Sequence, residues 1–306
     1  MPRPTLRDVH VNRPLTNVSI AYRNDEYIGA EVFPIVPVQK KSDLYFVFNK
    51  SQWFRLRSGP RPPGREAPVA DYSVSTASYI CLNDALSYKI ADEVRANADQ
   101  PLRPDVTGTE FVTDGLLLAL ENRVATLVTA SGNWASASNP TTKWDVDTSD
   151  VWGDIDTAVN AVKDNIGRKP NVMVFSETAW RNLRNHPDLI DRVKYQRVGG
   201  KIEPADLMGW FNIDKILIGG ALKDTSQEGA AAALSQIWGD MMWTGYVTPN
   251  AALEQPTAGY VFQWGNRTVQ RFRMERHHSD IVAAEWFTSE VIVASDAGAI
   301  MSDVTT

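Results

Sequence analysis

Four histidines, one cysteine and a few close pairs of acids are the residues of this chain that could do chemistry. His277, His278 and Asp280 form the densest group: two imidazoles and a carboxylate could hold zinc, or act as a base with its orienting acid. Their spacing argues against both roles. Neighbouring residues of an extended chain point to opposite faces, and zinc sites use His-x-x-x-His or paired-cysteine spacings. The tandem therefore reads as a solvated turn between two strands. His10 lies among turn-prone residues near the N-terminus, and His186 precedes Pro187 at a helix start. Asp92 with Glu93 and Asp154 with Asp156 are acid pairs of the kind that surface helices and loops carry by chance. Cys81, flanked by Ile80 and Leu82, has no second cysteine to pair with and reads as a small buried apolar side chain. The chain has no phosphate-binding loop, no dinucleotide fingerprint, no Gly-x-Ser-x-Gly elbow and no His-Glu-x-x-His motif. The expectation is a non-enzyme with no catalytic residue, no cofactor and no metal.

With no catalytic group to position, the remaining signal lies in charge and organisation. The 306 residues are 43% hydrophobic and 22% charged, with ten tryptophans, enough to build a large core and to supply rings for contacts between molecules. No apolar run approaches the roughly 18 residues of a membrane span, and no secretory signal opens the chain. The expected product has no membrane partner and stays in the compartment where it is made. Formal net charge is -6, but it is unevenly spread. Residues 1–70 carry eleven Lys and Arg against six Asp and Glu, a net of +5, and the remainder carries twenty against thirty-one, a net of -11. A basic arm is joined to an acidic body.

Residues 1–32 show no sustained period and read as an extended arm that must lie on something else to repay the entropy of ordering it. Arg3, Arg7, Arg13 and Arg23 are its basic contacts. A strand pair follows, one run from Tyr45 through Phe48 to Trp53 and Phe54, the other from Tyr72 to Cys81. Between them, Arg55 to Pro68 holds Arg55, Arg57, Arg61 and Arg65 among prolines and glycines, too polar and too long for a core, so it must project. Thr107 with Glu110 is a capping-box pattern opening a long helix over 109–131, with Val112, Leu116, Leu120 and Val124 on one face and Gly132 as its stop. From 150 to 248 helix and strand alternate, which implies an α/β unit. Four β-like runs follow: Tyr260–Trp264, Thr268–Glu275, Ile281–Trp286 and Val291–Ala294.

In that order the arm, basic loop, long helix, α/β unit and terminal strands resemble the major capsid proteins of tailed bacteriophages, the Johnson fold of the Hong Kong 97 type. Tyr27 to Phe54, YIGAEVFPIVPVQKKSDLYFVFNKSQWF, carries the most specific similarity, with Arg95 to Pro101, Pro170 to Phe175 and Asp280 to Val304 behind it. The resemblance implies an α+β subunit with an N-terminal arm at 1–38 and an extended β-hairpin loop at 39–82. Residues 83–150 and 251–306 would form a peripheral domain around the spine helix, and 151–250 an α/β axial domain. It further implies a structural subunit that assembles with itself into pentamers and hexamers of an icosahedral shell around double-stranded DNA. The loop and arm arginines would lie on neighbouring copies. The expected setting is the virion, assembled in the cytoplasm of the bacterial host. Its further expected partners are a portal, a decoration protein and, because the arm begins at residue 1, a separate scaffolding protein, the alternative being a form from which a scaffolding segment has been removed; Met1 favours the first. Lys40, Lys41 and Lys50 lie in the loop, but nothing assigns them a crosslinking partner. Two other readings stand beside this one: an encapsulin-type nanocompartment shell with the same fold, and a soluble α/β enzyme using His277 and His278.

Overall fold

Val112, Leu116, Leu120, Val124 and Val128 are buried along one side of a 26-residue helix, Pro104–Thr129, in the computed structural model of the chain. The structure describes residue 19 and residues 26–50, 54–67, 69, 71, 75–97, 103–193, 201–227, 229–248 and 255–306. In chain order its helices and strands are α1 (Gly29–Val32), β1 (Ile35–Val38), β2 (Ser42–Val47), β3 (Ser75–Ile80), β4 (Leu82–Ala91), α2 (Asp92–Ala96), α3 (Pro104–Thr129), β5 (Ser136–Ser138), α4 (Val151–Ile166), β6 (Val172–Ser176), α5 (Glu177–Arg184), α6 (Pro187–Val193), α7 (Pro204–Phe211), β7 (Lys215–Gly219), β8 (Leu222–Asp224), β9 (Leu234–Gln236), β10 (Met241–Gly245), β11 (Gly259–Trp264), β12 (Thr268–Met274), β13 (Ser279–Ile292) and β14 (Gly298–Ser302).

The spine helix differs from the expected 109–131 at both ends. It begins at Pro104, whose ring presets the helical φ where no N–H is needed, so Thr107 lies inside the helix and caps nothing. It ends at Thr129; Gly132 sits in the following 3-10 turn, and the Asn133 side-chain amide donates to the Leu127 carbonyl. The helix packs on a sheet in which β11 and β12 lie end to end along one side of the 14-residue β13, with β4 along the other. The runs Ile281–Trp286 and Val291–Ala294, expected as two strands, are mostly this one strand, ending at Ile292. Strand β1 joins β11 in parallel.

A second sheet, in the order β5-β14-β10-β6-β7, carries helices α4 to α7. Asp150 caps α4 by accepting from the Gly153 N–H, Gly167 ends it at φ 67°, and Val151, Ile155, Val159, Val162 and Ile166 are buried. Sequence order placed β5 and β14 with the peripheral strands, yet β14 pairs antiparallel to β10 and parallel to β5. The reason is the single core beneath, in which Ala299, Ile300 and Met301 pack with the residues of β6 and β10. Gly245 and Gly298 face each other across the β10–β14 ladder and leave a slot for the tilted rings of Trp243 and Trp134, whose centroids are 5.4 Å apart. A Cβ on Gly298 would overlap the Trp134 ring. Gly298→Ala is therefore expected to lower stability by about 1–3 kcal/mol through overpacking, read as a lower urea midpoint at unchanged slope.

Candidate functional site

The strands β2 and β3 pair from Ser42↔Ile80 to Val47↔Ser75, and their alternation gives the hairpin two faces. On the inner face Tyr45 and Tyr79 pack on Phe262 at ring separations of 5.7 and 4.6 Å, over a small core with buried Cys81 and Val293. The Tyr79 hydroxyl donates to the Lys40 carbonyl at 3.2 Å, and the Cys81 N–H to that of Lys41 at 2.8 Å. On the outer face Leu44 and Ile80 are exposed. A two-stranded ribbon is marginal by itself, and here the aromatic root fixes it to the body.

Beyond the root the chain does not continue the ladder. Strand β2 ends at Val47; Trp53, expected to prolong it, lies outside the described residues, as do 72–74 on the return side. Lys50 pairs with Asp296 at 2.7 Å, and Phe54 lies against Gly167, so the stem of the loop crosses the end of α4. From there the tip projects. Leu56 and Val69 are 91% and 93% exposed, which no monomer core explains. Arg55, Arg61 and Arg65 are exposed and make no ion pair among the described residues, while Arg57 donates to the Asp71 carbonyl at 2.6 Å. Arg3, Arg7, Arg13 and Arg23 of the arm lie outside the described residues, as does His10. Ser19 is buried, its hydroxyl accepting from Thr113 and its carbonyl from Arg267.

Of the groups that could do chemistry, Asp280 and His186 are engaged within the fold. His277 and His278 are exposed at a 3-10 turn, with His278 at φ 40°. Asp280, buried beneath them, accepts from Arg271 at 2.5 Å and from Arg95 at 2.6 Å, and Arg95 also reaches Asp105 on the spine helix. Arg273 grips Asp92 with two nitrogens. This network ties α2, the start of α3 and the β12–β13 turn together. Hydrogen bonds from Arg271, then Arg95, hold the Asp280 carboxyl at about 2, against an ordinary 3.8. The folded value lies below the unfolded one, so the contribution is present above the ordinary range and is lost as pH falls toward 2. Asp280→Asn should therefore cost stability near neutrality and flatten the acid loss between about pH 4 and pH 2, measured by melting across that window.

Buried His186 is paired with Ser149 at 3.0 Å and holds the 146–149 turn against the start of α6. Burial pushes the Cys81 thiol up and keeps it inert. Among the described residues no group of three or more His, Cys, Asp or Glu could hold a metal ion, and no helix is long and apolar enough to cross a membrane.

Sequence reasoning missed one residue that matters. Glu121 on the spine helix is 2% exposed and accepts from the Ile28 N–H at 3.1 Å, the Gly29 N–H at 2.6 Å and the Trp238 indole N–H at 2.6 Å. It thereby clips the start of α1 and Trp238, in the bend between β9 and β10, to the helix. An acid following Leu120 beside the buried stripe was the available signal. Burial pushes its carboxyl above the ordinary range, against those three donors.

No family model matches the chain. It is 26% identical over 305 residues to a protein named major capsid protein from Burkholderia phage BcepMu, with 96% of each chain covered. The crystal structure of a phage-related protein from Bordetella bronchiseptica superposes at a TM-score of 0.78 with 26% identity, over 97% of this chain and 98% of that one. The capsid structure of cyanophage P-SCSP1u gives a TM-score of 0.58 at 12% identity, over 94% and 90%, and so shares the fold alone.

Proposed function

We infer that the chain is a tailed-bacteriophage major capsid protein, a structural subunit that assembles with copies of itself into the shell of the virion and catalyses nothing. The observation that carries this is the near full-length similarity to a phage major capsid protein, joined to a loop tip on which Leu56 and Val69 are almost wholly exposed and Arg55, Arg61 and Arg65 make no ion pair among the described residues. The nanocompartment and enzyme alternatives gain no such support. The enzyme reading needs His277, His278 and Asp280 together, and Asp280 is taken by arginines.

The finer parts of this reading are proposals. The subunits form pentamers and hexamers, with Arg55, Arg57, Arg61 and Arg65, and the arm's Arg3, Arg7, Arg13 and Arg23, on neighbouring copies. The peripheral unit holds the spine helix and the β4–β13–β12/β11 sheet, and the axial unit holds 151–248 completed by β5 and β14. The net charge of -11 over residues 71–306 suits weak, nonspecific contact with packaged double-stranded DNA, because a strongly basic wall would hold the duplex through many phosphates. A scaffolding protein, a portal and a decoration protein complete the partners, with assembly in the bacterial cytoplasm. Velocity sedimentation of the purified chain, alone and with co-expressed scaffolding protein, tests self-assembly. Large closed particles or capsomers are expected, and a single monomer boundary at every concentration would overturn the reading.

A further inference from the structure

The aromatic root holds the base of the loop to β11, and a second set of contacts holds its stem to the helix α4 of the same chain. Phe48 packs against the main core, where the β2–β3 ladder has already ended at Val47. The Phe54 N–H donates to the Lys50 carbonyl at 3.0 Å, and residues four apart that share such a bond lie on one side of the chain. Both side chains use that side. Lys50 Nζ reaches Asp296 Oδ1 at 2.7 Å, in the 3-10 turn that leads into β14, and Asn165 Oδ1 at 3.5 Å, in the last turn of α4. The Asn165 amide nitrogen donates to Ser136 Oγ at 3.1 Å, which turns its oxygen toward the lysine. Just past α4 the Phe54 ring lies over Gly167, where a Cβ would stand 3.2 Å from it, so the missing side chain makes the seat. The carbonyls at the end of α4 also favour a cation there.

None of these contacts builds the core. The Lys50 side chain is 48% exposed and Phe54 59%, and α4 has its own stop in Gly167. Two residues beyond Phe54, Leu56 is 91% exposed, so the contacts end where the tip begins. We propose that Lys50, Phe54 and Asp296 are positioning residues, a strap that aims the loop from within its own chain before any neighbour is met. The inference rests on the shell reading and deepens it by assigning the device that prepares the loop for assembly. A long polar loop is costly to order. With its stem fixed at two points, on β11 by the root and on α4 and Asp296 by the strap, that cost falls on the free subunit and not on the contact between subunits. A half-exposed ion pair adds little to folding, and it suffices here because direction is the requirement, not stability.

The test removes the strap with Lys50→Ala and Phe54→Ala together. In the unassembled subunit, spin labels at Leu56→Cys and Asn160→Cys report the distance from the tip to the exposed side of α4, native Cys81 being buried. A narrow distance distribution is expected with the strap intact and a broad one without it, at an unchanged melting temperature. Assembly followed by light scattering should then need a subunit concentration about tenfold higher. Lys50→Glu should raise that concentration as well, and Lys50→Glu with Asp296→Lys should bring it back. A distribution as narrow as the parent's, or assembly that is unchanged or easier, overturns the proposal. A lowered melting temperature overturns it too, by placing these residues in the fold. Failure of the shell reading is seen separately: the unsubstituted chain then forms no shells, and the distance distributions alone decide whether the strap aims the loop.

Discussion

Glu121→Ala should destabilise the unassembled subunit by about 3–5 kcal/mol, because three buried donors lose their acceptor at once. The Ile28 and Gly29 amides and the Trp238 indole all converge on this one carboxylate. Two of them belong to the chain entering the body from the arm, so the loss is expected to appear first as faster hydrogen exchange at residues 28–33. Glu121→Gln keeps the shape but turns one oxygen into an amide that cannot accept from the backbone, and its cost should fall between parent and alanine. The pH dependence runs opposite to that of Asp280. The Glu121 carboxyl is raised by burial, so its folded state binds the proton more readily than the unfolded chain does. That contribution is full below the ordinary value of 4.5 and is lost as pH rises through the folded value. Denaturant melts of the Gln variant across that range should lose this slope, and an alanine variant as stable as the parent would remove Glu121 from the account.

Reversing three tip charges, Arg55→Glu with Arg61→Glu and Arg65→Glu, should abolish shell formation while leaving the subunit's melting unchanged. The three side chains are exposed and make no ion pair among the described residues, so the fold loses nothing. Placed against an acidic neighbour, like charges cost several kcal/mol per contact, and a closed shell repeats the contact in every copy. The parent's assembly should also weaken as salt shortens electrostatic reach to roughly 8–10 Å and below. Light scattering of the refolded variant reads the outcome; particles at parental yield would show that the tip does not carry assembly.

Much of this was legible from local pattern. The stripe on the spine helix and the projecting arginine loop follow from periodicity and turn chemistry, and the structure places both as expected. What failed depended on contacts distant in sequence. Strand β14 joins β10 and β5 because its apolar residues complete the second sheet's core, which no local signal records. Thr107 imitates a cap but is overruled by Pro104 three residues earlier. Glu121 is functional only through Gly29 and Trp238, more than ninety residues away on either side. The histidine tandem lies in an exposed turn between two strands, as its spacing suggests, whereas the arginines that occupy Asp280 come from elements that no local pattern joins to it.

Negative-stain electron microscopy of the purified chain, alone and with a co-expressed scaffolding protein, shows whether the subunit builds a shell. Closed shells, or rings of five and six subunits, are expected. A uniform monomer under every condition would contradict the shell reading.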